Sequence, residues 1–138
     1  MSSEIIVDDE CMTAFEGLKG EREVNTVIYR LIGDLDTCVV ESQENLTHDD
    51  LLLTLPTDDP RLVLHELDFS AADGARHREI VLISWLPPRA APESRAAYAS
   101  AHAALLDILD GIQWFVRAGD LAELDYHRLV AQARAKGQ

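Results

Sequence analysis

Basic residues are scarce in this chain: 12 lysines and arginines stand against 25 aspartates and glutamates over 138 residues, a formal charge of −13. Such a chain is repelled by the phosphates of DNA and RNA and by anionic headgroups, so attraction to either through a general field is excluded. Cysteine is nearly absent. Cys11 and Cys38 lack metal-ligand spacing and are expected on a helix and a strand as free, reduced, structural thiols. No apolar run approaches the ~20 residues of a membrane span, and no charged-then-apolar leader or small-residue cleavage site is visible, so a cytosolic location is expected. Glycine-rich phosphate loops, a nucleophile elbow and paired metal-ligand motifs are also missing. The five histidines and many carboxylates form no recognisable acid–base site. No catalytic role, metal or cofactor is expected, and His65 reads as a satisfied strand residue.

A hydrophobic content of 47% over this length is enough to bury a core without metal or disulfide support, so residues 1–138 are expected to form one domain. Only the terminus around residues 1–5 and the last few residues look loose. Asp8 is a plausible helix N-cap, Val7 and Met12 can staple it, and Cys11, Ala14, Phe15 and Leu18 supply a buried stripe up to Gly20. Val24 to Ile32 and Thr37 to Glu41 read as strands joined across Gly33-Asp34, and Thr47 with Asp50 resembles a capping box for a short helix through Thr54. Arg61 to Phe69 is a third strand, apolar on both faces at first and then alternating. A hairpin turn centred on Asp73-Gly74 leads to Ile80–Leu86, whose unbroken apolar run predicts a strand covered on both sides.

Pro87 and Pro88 end that strand, and Pro92 with Glu93 fits the first turn of a helix that closes at Gly111. Ala97, Tyr98, Ala101, Ala104, Leu105, Ile108 and Leu109 share its core stripe. A second strip, Ala96, Ala99, Ala103 and Leu106, recurs on another face, edged by Arg95, His102 and Asp110. It reads either as a docking surface or as alanines serving simply as good surface helix formers, and periodicity does not choose between them. Ile112 to Val116 is expected as a fifth strand, and Asp125 as the cap of a last helix with Tyr126, Leu129, Val130 and Ala133 inward. Interspersed strands and helices predict an α/β fold, a mixed sheet with helices on both faces.

Several of these segments resemble one known family in a single register. Trp85-Leu86-Pro87, then Ser94-Arg95, Tyr98-Ala99-Ser100, Ala104-Leu105 and Gly111 are similar to the long-helix region of the actin-depolymerising factor/cofilin family. Val7 to Cys11 with Phe15, Leu18 and Lys19 resembles its opening helix. Leu55-Pro56 with Asp58, Asp59 and Arg61 resembles its turn into the third strand, and Asp120-Leu121 with Glu123 and Tyr126 its approach to the last helix.

The resemblance implies a five-stranded mixed sheet with the first and third helices on one side, and a monomeric protein of the actin cytoskeleton that binds monomeric and filamentous actin and severs or depolymerises filaments. It implies a monomer-binding surface made of Ser3, Glu4 and Ile5 from the terminus and Arg95, Ala96, Ala99, His102 and Leu106 from the long helix. Ser3 occupies the family's phosphorylation position. Filament contacts fall on Arg76, His77 and Arg78 and, on the last helix, Arg134 and Lys136. Glu93 stands where the family has the first of two basic residues, Glu79 where it commonly has lysine, and Ala131 and Gln132 where it has an acidic–basic pair. A monomer-sequestering protein with weak filament binding, or an adaptor like coactosin or glia maturation factor, remains the alternative.

Overall fold

The computed structural model describes residues 5–20, 24–71, 73–112 and 114–136. Its spine is a sheet of six strands, one more than expected, in the order β1-β3-β2-β4-β5-β6. These are β1 (Ile6–Val7), β2 (Thr26–Ile32), β3 (Thr37–Glu44), β4 (Arg61–Ser70), β5 (Arg76–Trp85) and β6 (Trp114–Ala118). The additional strand is β1. It pairs in parallel with the start of β3, Val7 opposite Cys38, and two residues are too few to leave a periodic signal. The four inner strands are antiparallel and β6 joins β5 in parallel, which makes the sheet mixed.

Two helices lie on each face. Helix α1 (Asp9–Gly20) and helix α3 (Pro92–Ile108) cover one side, where Cys11, Phe15 and Leu18 meet Tyr98, Ala101 and Leu105 over Tyr29, Leu31, Leu62, Leu64 and Leu82. Helix α2 (His48–Thr54) and helix α4 (Tyr126–Lys136) cover the other, where Leu51, Leu129, Val130 and Ala133 pack on Ile28, Val63, Val81, Ile83 and Trp85. Alternate residues of β5 thus enter separate cores, which is why that strand has no polar side along its inner half.

Local chemistry explains most boundaries. Thr47 accepts the N–H of Asp50 and starts α2. Gly33 sits at φ 67° in the β2–β3 turn, where a side chain would be strained. Asp120 and Glu123 form a capping box, each side chain accepting a backbone N–H of the other's segment, at a short 3-10 helix (Leu121–Leu124) before α4. Val7 and Met12 line one shallow groove together with Ile108. Ile108, expected in the core stripe, is therefore partly exposed at the open flank of α3 facing α1. Strand β5 begins earlier than the apolar run because its polar end pairs across the hairpin, His77 opposite Phe69 and Arg78 opposite Asp68. Strand β6 begins two residues later than expected, since Gly111 at φ 119° turns the chain and the parallel register starts at Val81 opposite Trp114.

Candidate functional site

Helix α3 is anchored on one side and open on another. Pro92 opens it with no side-chain cap, and the N–H of Leu109 closes it on the carbonyl of Leu105. Tyr98, Ala101 and Leu105 are buried, and the Tyr98 hydroxyl accepts the N–H of Leu31 at 2.9 Å, tying α3 to β2. Arg95, Ala96, Ala99 and Ala103 are exposed, whereas Leu106 is half-buried against the core. Arg95 forms no ion pair among the described residues. A fixed cation-bearing helix with a shallow strip of small apolar side chains presents little entropy to lose on docking.

His102 corrects the sequence expectation. Read as an interface group on the helix edge, it is instead almost completely buried. Its Nδ1 lies 2.5 Å from Ser84 Oγ on β5, and its ring meets Phe115 of β6 edge-on at 4.9 Å. The reason is β6, whose Phe115 lies against that flank at His102 and covers it there. Burial, with the Arg117 charge nearby, pushes the His102 pKa below its usual value, so the ring is uncharged near neutrality. Helical periodicity alone does not show which flank a neighbouring edge strand will cover.

A second group of candidates comes together at the far end of the sheet. Arg76 Nη2 lies 2.6 Å from Asp68 Oδ2 across the β4–β5 hairpin, and Arg78 Nε is 3.9 Å from the same oxygen. His77 stacks on Phe69. From α4, Arg134 Nε donates to the Ser70 carbonyl at 2.9 Å and the Tyr126 hydroxyl to that of Asp68 at 2.6 Å. Arg76, His77, Arg78 and Arg134 thus form one surface, although they come from segments far apart in sequence. Lys136 is the last residue of α4. Ile5 packs half-buried against the α1/α3 core, while Ser3 and Glu4 lie outside the described residues.

The sequence pattern of the cofilin/tropomyosin-type actin-binding proteins matches residues 4–134. This chain belongs to that family. The actin-depolymerizing factor 3 of Arabidopsis thaliana is 32% identical over 126 residues, covering 90% of this chain and 91% of the relative. Among solved structures, the cofilin of Streptomyces griseoflavus superposes with a TM-score of 0.87 at 23% identity, over 95% of this chain and 98% of that one. The coactosin of Entamoeba histolytica reaches 0.85 at 15% identity, over 99% of each. The likeness to both shows the cofilin-type fold and does not separate its subtypes.

As a cofilin-family fold, the chain keeps the layered arrangement and the long helix that the sequence predicted. Two of its titratable groups meet in the α1/α3 core. The Cys11 thiol donates to the Cys38 carbonyl at 3.2 Å in the core, and both cysteines are free. Among the described residues, no group of three or more histidine, cysteine, aspartate or glutamate side chains is placed to hold a metal ion, and no helix is long and apolar enough to cross a membrane.

Proposed function

We propose that this protein binds monomeric actin through the exposed side of α3, with Arg95 as the leading cation and Ala96, Ala99 and Leu106 beside it. The observation that carries the reading is Arg95 itself, an exposed guanidinium without an ion-pair partner among the described residues, on a helix whose opposite side is locked into the core. Its planar fork suits bidentate contact with a carboxylate on an acidic partner. Preferential binding to the ADP-bound, twisted filament state shifts filaments toward that state, and severing follows from the shift rather than from chemistry. The protein works as a monomer in the cytoplasm at the actin cytoskeleton, and Ser3 is its candidate phosphorylation switch, where added negative charge opposes an acidic partner.

A second reading is monomer sequestration with weak filament binding. Its support is the state of the hairpin surface, where Arg76 is paired with Asp68 and Arg134 donates to a backbone carbonyl, so part of their charge and donor capacity is already used within the chain. Monomer binding and filament co-sedimentation at low and moderate salt, for the wild type and Arg95→Glu, separate the readings. Loss of pelletable actin that the substitution abolishes supports depolymerisation. Monomer binding alone supports sequestration, filament binding that survives the substitution supports an adaptor, and binding to neither form rejects actin as the partner.

A further inference from the structure

We propose that the actin-contacting surface continues from α3 onto β6, with Phe115 as its apolar anchor, Arg117 as a second cation, and the buried Ser84–His102 pair as its support. This inference rests on the reading of α3 as the actin-facing helix. Arg95, Ala99, His102 and Leu106 are spaced by four, three and four residues and so share one flank of α3. The edge-on contact of His102 with Phe115 shows that this flank faces β6.

Phe115 is an unusual side chain for an edge strand. It points to the α3 side of the sheet, as does its register partner Leu82, yet it is 48% exposed. It is also held. The His102 ring braces it at 4.9 Å, His102 is itself fixed by Ser84, and the Arg117 guanidinium lies 5.9 Å from the phenyl centroid. An aromatic ring packed edge-on against a buried side chain and half open to solvent has the properties of an interface anchor, since binding buries apolar area on a side chain that already has a packing partner.

The charge distribution names the partner's chemistry. The carboxylates of α3, Glu93 and Asp107, project roughly 120–160° around the helix axis from Arg95 at 100° per residue. Neither Arg95 nor Arg117 forms an ion pair among the described residues. In a chain of net charge −13, Arg117 beside the aromatic ring and Arg95 about two turns from His102 along the same flank of α3 fit an acidic surface containing an apolar recess, here that of an actin monomer.

The test titrates fluorescently labelled actin monomers with the full chain as wild type, Phe115→Ser, Arg117→Glu, Arg95→Glu and His102→Asn, each checked by thermal denaturation. Phe115→Ser is expected to weaken binding about tenfold or more with the melting temperature close to wild type. His102→Asn is expected to lower affinity less and to move the aromatic NMR signals of Phe115, a signature of a positioning residue. Wild-type behaviour of Phe115→Ser and Arg117→Glu beside a defective Arg95→Glu overturns this inference and leaves the α3 reading standing. Absence of any wild-type affinity removes both. Loss of self-association in Phe115→Ser with unchanged actin affinity assigns the patch to a second copy of the chain and also overturns it. Should a substitution unfold the protein, amide exchange of the wild type decides: slowed exchange at residues 115–117 on adding actin is the expected result, and unchanged exchange there refutes the proposal.

Discussion

Acidification below the ordinary histidine range forces a proton toward His65, a ring on β4 sealed inside the α2/α4 layer. Its Nδ1 lies 2.9 Å from Thr26 Oγ1. The Thr26 hydroxyl already donates to Asn25 Oδ1 at 2.8 Å, so the His65 Nδ1–H is the donor in this pair. Burial first, and the neighbouring His48 second, lower the His65 pKa from 6.5 to about 4. The unfolded chain therefore binds a proton near pH 6.5 that the folded chain refuses until about pH 4. Between those values the unfolded state carries more protons, so stability rises with pH: the contribution is fully present above 6.5 and is lost as pH falls toward 4. At about 1.4 kcal/mol per pKa unit, the effect is about 3 kcal/mol, a large part of the 5–15 kcal/mol typical of a small domain, roughly. Urea unfolding across this range measures it. His65→Asn keeps a donor where Nδ1 stands and removes the titration, so its stability is expected to fall about 3 kcal/mol less than wild type on the same acidification. Parallel curves for the two proteins would refute the assignment of the effect to His65.

Other perturbations test the packing and the links between elements. Tyr98→Phe deprives the buried Leu31 N–H of its acceptor, which is expected to cost about 1–3 kcal/mol and to speed Leu31 amide exchange. Leu82→Ala opens a cavity at a fully buried position of the α1/α3 core, with an expected loss of about 2–5 kcal/mol in chemical denaturation. Thr47→Ala removes the hydroxyl that accepts the Asp50 N–H and is expected to cost about 1 kcal/mol, read by urea unfolding.

Much of the architecture was legible because it follows from local chemistry. The apolar run of β5, the 3.6-residue stripe of α3, the Thr47 cap and the turn at Gly33 each carry their cause within a few residues, and the two-faced burial of β5 follows from its lack of a polar side. The extra strand β1 was not legible, because a two-residue parallel pairing depends on where β3 happens to lie. The same holds for the site. Sequence placed Arg95, Ala96 and Ala99 on an open side of α3 and joined the hairpin cations to Arg134 only through a family resemblance; the structure brings that second group together through the Ser70 and Asp68 carbonyls.

Periodicity, caps and motif order were enough to give the five longer strands, the four α-helices and the resemblance to the family, because each of these signals is local. Tertiary structure alone decided that His102 is buried, that Ile108 is half open, and that Phe115 stands braced beside α3. Those outcomes depend on which neighbour covers a given flank, and a helical period contains no information about a strand that arrives from elsewhere in the chain.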